Sequence, residues 1–220
     1  MTEPVGSTGH AILDDVSYES IKAELRRSYD ASAEERDTMD DLPWKQPERE
    51  RFLVELRAHK ATSLLEIGAG HGVSGRFYAD NGLAVTCVDM SPELVERCRA
   101  KGLDAQVMDF AELDFPEASF DAVFGMNCLL HVPRANLKAV LKSVRRVLRP
   151  GGLFYWGQYG GDSHEGVFEE DHHEPKRFFS LLTDEDIQTE AARVFDVLDF
   201  HTLEFADNRG YQALILMPPH

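Results

Sequence analysis

At 220 residues the chain suits one domain, or one domain with a small appendage, and can bury a substantial core. Its hydrophobic share of 43% and charged share of 28% are those of a soluble globular protein rather than a disordered or membrane-spanning one. Lys and Arg number 23 against 39 Asp and Glu, a formal net charge of −16, so phosphate backbones and anionic lipid are repelled. The basic clusters are short (Arg26-Arg27, Lys142 with Arg145 and Arg146, Lys176-Arg177), and neither nucleic acid nor membrane is expected as a partner. Cys87, Cys98 and Cys128 are odd in number and lack metal-ligand spacing, which predicts reduced thiols, no metal and a cytoplasmic location. Met1 to His10 shows no basic flank followed by an apolar core, so no secretory signal is expected. A monomer or homodimer is expected.

The first sixty residues read as amphipathic helices. Ile21, Leu25 and Tyr29 share one face, and Phe52, Leu53 and Leu56 mark a second helix after Pro47. Asp37 to Trp44, acidic and carrying Pro43, reads as a linker or a mobile cap. From Ser63 the pattern alternates. Leu64, Leu65 and Ile67 form a first apolar run, and Val85, Cys87 and Val88 form a second that ends at Asp89. Ser91 and Pro92 supply an N-cap and a first-turn proline for a helix reaching about Lys101. Ala105 to Met108 and Phe120 to Met126 predict a third and a fourth strand. Leu137, Val140, Leu141, Val144, Val147 and Leu148 trace one helical face, stopped by Pro150-Gly151-Gly152, and Leu153 to Trp156 begins a fifth strand. Thr183 with Asp186 predicts a capping box. Val194 to Phe200 and Tyr211 to Met217 predict closing strands, joined as an antiparallel hairpin through Asp207 to Gly210. The alternation predicts an α/β fold with a largely parallel sheet and ligands at the carboxyl ends of its strands.

Leu64 to Gly72 reads as a buried strand running into a glycine turn that opens a helix, with an acid, Asp89, about twenty residues on. That combination builds a nucleoside-binding crevice. A dinucleotide site in the register of Gly68 and Gly70 calls for a third glycine where Val73 stands. Glu66, two residues before the first glycine, suits the ammonium end of a methionine moiety and is an odd neighbour for a pyrophosphate; its plain alternative is a solvated or lysine-paired strand-end glutamate.

On Leu65-Glu66-Ile67-Gly68-Ala69-Gly70-His71-Gly72, Val88-Asp89-Met90-Ser91, Met108-Asp109-Phe110, Phe120-Asp121-Ala122-Val123, Leu130-His131-Val132 and Leu148-Arg149-Pro150-Gly151-Gly152, the chain resembles the class I S-adenosylmethionine-dependent methyltransferases of small-molecule type. The resemblance runs roughly from Tyr29 to the C-terminus. It implies a Rossmann-like, seven-stranded, mainly parallel sheet with a C-terminal antiparallel hairpin strand. An N-terminal helical cap would occupy 1–60, the methyltransferase domain 61–220 and a substrate lid about 160–180. It also implies S-adenosylmethionine as cofactor. Gly68, Ala69, Gly70 and Gly72 would then line methionine and ribose, and Asp89 would accept from both ribose hydroxyls. Met90 would pack on adenine, Asp109 would accept from its amino group, and the Phe110 backbone would donate to its ring. Asn127 would approach through its backbone, and Tyr29 would close over the methionine. For Tyr29 the alternative is a core tyrosine, for Asp109 a turn-initiating aspartate and for Met90 core filler.

A sulfonium methyl is already electrophilic, so such an enzyme chiefly aligns its acceptor and excludes water. His131 is the candidate base for a neutral hydroxyl acceptor, with a structural histidine as the alternative. Gln158 and Tyr159 should face the acceptor, with Trp44, Arg177 and Phe178 beside them, and Gly160-Gly161 could hinge the lid. The lid's Glu169, Glu170 and Asp171 would suit a cationic or amine-bearing acceptor, or else form a solvated charge run. The reading is a methyltransferase acting on O, N or C of a small molecule, and the resemblance implies a place in specialised metabolism. Its rivals are a nicotinamide-dependent oxidoreductase in the same crevice, a non-catalytic S-adenosylmethionine-binding subunit, and a protein methylase.

Overall fold

A computed structural model describes residues 17–205 and 210–219. The expectations for Met1 to His10 and for the turn through Asp207, Asn208 and Arg209 lie outside the described residues. Ser17 caps α1 (Tyr18–Ala31) by accepting from the Ser20 N–H. α2 (Ala33–Thr38) and α3 (Lys45–Ala58) follow. α3 starts ahead of Pro47 rather than after it, because a proline in the first helical turn forgoes an N–H that has no partner there anyway.

The sheet then alternates with helices: β1 (Ser63–Ile67), α4 (Val73–Asp80), β2 (Ala84–Asp89), α5 (Pro92–Ala100), β3 (Asp104–Val107), β4 (Phe120–Met126), α6 (Arg134–Val147) and β5 (Leu148–Gly160). A short hairpin, β6 (His164–Val167) with β7 (Phe178–Leu181), precedes α7 (Asp184–Ala192), β8 (Asp196–Glu204) and β9 (Gly210–Met217). The strands lie in the order β3-β2-β1-β4-β5-β9-β8, the first five mutually parallel and β9 antiparallel to both β5 and β8. This is the seven-stranded Rossmann-like sheet with an antiparallel C-terminal pair. Strand alternation divides the core. Leu65, Ile67, Val123, Phe154 and Trp156 face α6 and α7, while Leu64, Phe124 and Tyr155 face α3 and α4. Phe52 and Leu56 of α3 are buried in that second layer, so α3 packs as part of the sheet's own core.

Three expectations about elements are corrected. Pro150-Gly151-Gly152 does not separate helix from strand. Phe120 pairs with Leu148 and Ala122 with Leu153, so β5 begins at Leu148 and the stretch loops out within it, Gly151 taking φ +75°. The strand expected over Val194 to Phe200 runs over Asp196–Glu204 instead. The N–H groups of Val194 and Phe195 bond back to the Ala191 carbonyl at 3.0 and 2.9 Å, which folds both side chains into the core at the end of α7. The segment after Gly160 carries the β6–β7 hairpin, whose four-residue strands are too short to print a period on the sequence.

Candidate active site

Strand order reverses between β1 and β4, and the chain leaves these strands in opposite directions. The crevice this opens lies outside their carboxyl ends. A cavity of about 610 Å³ occupies it, roofed by α1, α2 and the β6–β7 hairpin. The floor is the glycine turn. Gly68 has φ +60°, and a Cβ there would stand 2.4 Å from the Cβ of Cys128, so no other residue fits. Gly70, at φ +57°, has nothing within 4 Å of where a Cβ would be: its backbone faces open cavity and can approach a ligand closely.

Asp89 ends β2 beside this turn. Its Oδ2 accepts from the Gly70 N–H and its Oδ1 from the Ser91 N–H, both at 2.9 Å. One lone pair on each oxygen is thereby held by backbone, and the carboxylate is fixed in orientation with acceptor capacity left over. Burial, partly offset by those N–H donors, pushes its pKa up to about 6. Glu66 lines the same wall and is 4% exposed. The Cys87 thiol donates to its Oε2 at 3.5 Å, and burial raises its pKa to about 8, so without a cation beside it the group is largely protonated at neutral pH.

Ala69, Met90, Phe110 and Asn127 also line the cavity. Asn127 takes φ +56°; its N–H donates to the Gly157 carbonyl and its Oδ1 accepts from the Tyr159 N–H, which fixes the end of β4 against β5. Gly72 caps α4 outside the wall, with Leu103 and Cys98 behind it. Asp109 is also off the wall: it accepts from the Ala111 N–H at 2.8 Å and pairs with Lys22 Nζ at 2.6 Å.

His131 and Tyr29 meet in the roof. His131 Nδ1 lies 2.7 Å from the Phe178 carbonyl, which can only accept, so Nδ1 carries the proton and Nε2 accepts from the Tyr29 hydroxyl at 2.6 Å. Burial lowers the His131 pKa to about 3, keeping the ring neutral. Arg177 donates to the Tyr29 oxygen at 3.3 Å and makes a two-pronged ion pair with Asp171 at 2.8 Å. Hairpin and α1 are thus latched together over the cavity.

Among the residues expected at the acceptor, Tyr159 and Arg177 line the cavity, and three do not. Gln158 is fully buried on the other face of β5, accepting from Trp156 Nε1 at 2.9 Å. Phe178 offers its carbonyl to His131 while its neighbour Phe179 faces inward. Trp44 stands behind the wall, packed on Tyr159, Phe205 and Tyr211. The acidic lid residues are mostly spoken for, Asp171 by Arg177 and Glu169 by Lys176, leaving Glu170 on the cavity wall.

Residues 64–152 match the family model described as a methyltransferase domain. Over 151 residues the chain is 30% identical to a demethylmenaquinone methyltransferase of Tropheryma whipplei, covering 64% of this chain and 61% of that one. Over these stretches the chain is similar to class I S-adenosylmethionine-dependent methyltransferases. A second methyltransferase relative is 27-O-demethylrifamycin SV methyltransferase of Amycolatopsis mediterranei, 32% identical over 135 residues, with 57% of this chain and 48% of that one covered. The chain therefore spans about half to three-fifths of the length of these curated relatives. The methyltransferase fold is also seen in 1,6-didemethyltoxoflavin-N1-methyltransferase of Burkholderia thailandensis, solved with 1,6-didemethyltoxoflavin and S-adenosylhomocysteine. It superimposes with a TM-score of 0.76 at 22% identity, over 99% of this chain and 94% of that one.

Sequence reasoning missed part of the cavity wall. Arg36, Lys45 and Arg49 project into it from α2 and α3, and Met39, Leu42 and Phe168 form an apolar rim. Lys45 and Arg49 stand four residues apart on α3, a spacing that places them on one helical face and could have flagged them.

Proposed function

We propose that this chain transfers a methyl group from S-adenosylmethionine to a small-molecule acceptor on O, N or C. The observation that carries the reading is Asp89: a carboxylate fixed by two backbone N–H groups at the end of β2, with acceptor capacity left facing a glycine turn that has room for a ligand. A vicinal diol is the natural partner of such a group. Gly68, Ala69 and Gly70 would lie along the amino-acid and ribose portions, Glu66 would meet the ammonium, and Met90 and Phe110 would flank the base. When bound, the cofactor supplies an electrophilic sulfonium methyl.

The remaining work falls to the chain's own residues. α1, α2 and the hairpin exclude water, and the Arg177–Tyr29–His131 contacts hold that roof shut. Acting as a base, His131 would first have to give up the Tyr29 hydroxyl now on Nε2; this favours an acceptor that attacks without a histidine base. We infer a division of labour in which α1 and α2, the leading helices of the 1–60 segment, cap the site and 61–220 carry the chemistry, in a cytoplasmic enzyme of one or two subunits. Among the described residues no helix is long and apolar enough to cross a membrane.

Calorimetric titration with S-adenosylhomocysteine and with NAD tests the reading. Binding of the first and not the second is expected; the reverse would make the site an oxidoreductase's, and heat from neither would end the proposal. Labelled methyl donor offered with a broad metabolite pool then separates an enzyme from a binding subunit.

A further inference from the structure

The charges on the cavity wall run against those of the chain. In a protein of net charge −16, Lys and Arg side chains outnumber carboxylates around this one cavity. Three of these six cations have a carboxylate of their own. Lys22 pairs with Asp109 and Glu19, Arg177 with Asp171, and Arg26 with Asp30 at 3.8 Å. For the cations of α2 and α3 the matching fails. Asp41 is the single carboxylate shared by Arg49, which contacts it closely, and Lys45, whose Nζ is 3.9 Å away. Arg36 donates to the Ser32 hydroxyl at 3.1 Å and stacks over the Tyr29 ring at 4.6 Å. Its Nη2 meets the His173 ring at 3.2 Å, and among the described residues no carboxylate comes within 4.0 Å of it.

Two half-buried cations with too little counter-charge are costly in the empty protein, and an anion that reached them would be bound where water screens it least. Burial together with the nearby Arg49 and Arg36 already lowers the Lys45 pKa, the mark of a positive charge short of compensation. Around the charges Met39, Leu42 and Phe168 are 59%, 44% and 43% exposed, apolar surface left uncovered at the mouth of the cavity. We propose that Arg36 and Lys45 bind a negatively charged group, a carboxylate or acidic enol, on an acceptor whose apolar body rests on the Met39, Leu42 and Phe168 rim. This deepens the methyltransferase reading and rests on it. It also reverses the expectation of a cationic acceptor, since Asp171 and Glu169 are already paired.

The cofactor's own carboxylate is the competing claimant for these cations. Arg49 is better placed for it, because its Nη1 lies 3.4 Å from the Ser74 hydroxyl in the first turn of α4, next to the glycine turn. The test accordingly measures both ligands. Protein saturated with S-adenosylhomocysteine is titrated with matched probes: 4-hydroxybenzoate, 4-hydroxybenzamide and tyramine, then octanoate and octanamide. At least one acid should bind tenfold or more tightly than its amide. Arg36→Gln and Lys45→Met should each erase most of that preference while leaving the S-adenosylhomocysteine Kd within twofold of wild type, which also reports intact folding. Three outcomes overturn the proposal: amides or tyramine binding as well as the acids, no acid binding at all, or a loss of S-adenosylhomocysteine affinity in the two variants. A wild-type protein blind to S-adenosylhomocysteine removes the methyltransferase reading itself. Blindness to acids in a protein that still binds it removes only the anionic acceptor.

Discussion

Replacing Asp89 with Ala gives the sharpest test of the cofactor site. The carboxylate holds the Gly70 and Ser91 N–H groups at 2.9 Å and, in the proposed complex, both ribose hydroxyls. Hydrogen bonds to a charged group contribute about 1.5–3 kcal/mol each, but water entering the space left by Ala restores part of that. The net loss should be on the order of 1.5–3 kcal/mol, roughly a tenfold to hundredfold rise in the S-adenosylhomocysteine Kd. The pH dependence sharpens the test. With a pKa of about 6 the wild-type carboxyl is ionised above that pH and protonated below it. Affinity should therefore fall more steeply as pH drops through about 6 in the wild type than in Asp89→Ala, which keeps only the slope that Glu66 gives to both proteins. Isothermal titration calorimetry between pH 5 and 8 on both proteins reads the two effects. An unchanged Kd in Asp89→Ala at pH 7.5 would refute the assignment.

Glu66, raised to about 8 by burial, should ionise when an ammonium arrives, so cofactor binding at pH 7 should release a proton. Calorimetry in buffers of different ionisation enthalpy checks this, and Glu66→Gln should abolish the release. Tyr29→Phe leaves the buried Nε2 of His131 without its donor; at about 1–2 kcal/mol the latch should open roughly fivefold to thirtyfold more often, read as faster limited proteolysis between β6 and β7. His131, held near a pKa of 3, should contribute no limb to the rate profile between pH 5 and 8, so the limb near 6 set by Asp89 should persist in His131→Gln. A limb that vanishes with His131 would make it the base. The Glu48–His201 pair ties α3 to β8. The hydrogen bond to Glu48 raises His201 above 6.5, while His201 and Tyr155 hold Glu48 below 4.5 against the opposing effect of burial. The His201 contribution is complete below pH 6.5 and fades as pH rises through the folded-state value; that of Glu48 is complete above 4.5 and fades at lower pH. Tm should peak between about 4.5 and 6.5, and His201→Asn should flatten that peak.

The parallel core of the fold was legible because its signals are local. Gly68 has no alternative beside Cys128, the Ser91 hydroxyl caps α5, and the Thr183 hydroxyl accepts from the Asp186 N–H at 3.1 Å. The acceptor side was harder to read because its contacts join residues far apart in sequence. Nothing near Arg36 announces that it will meet His173, and nothing near Tyr29 announces Arg177. Some of the rest was readable and overlooked. Adjacent strand residues point to opposite faces, so Gln158 and Tyr159 cannot both face one cavity, nor can Phe178 and Phe179. The four-residue strands of the hairpin and the bulge at Pro150-Gly151-Gly152 are set by pairing with distant partners, which no window of local sequence contains.

The roof is built from two pieces of chain that meet through side chains, Tyr29 with Arg177 and Arg36 with His173, and His131, from the stretch after β4, pins both. Lifting the roof consequently requires parting a handful of polar contacts, with the backbone ladders of the sheet left intact. The free energy that governs how wide the chamber opens is that local one, a small fraction of what holds the whole molecule together. Ligand traffic and thermal endurance can therefore be tuned separately, the first by substitutions at the seam and the second by substitutions in the layers beneath it.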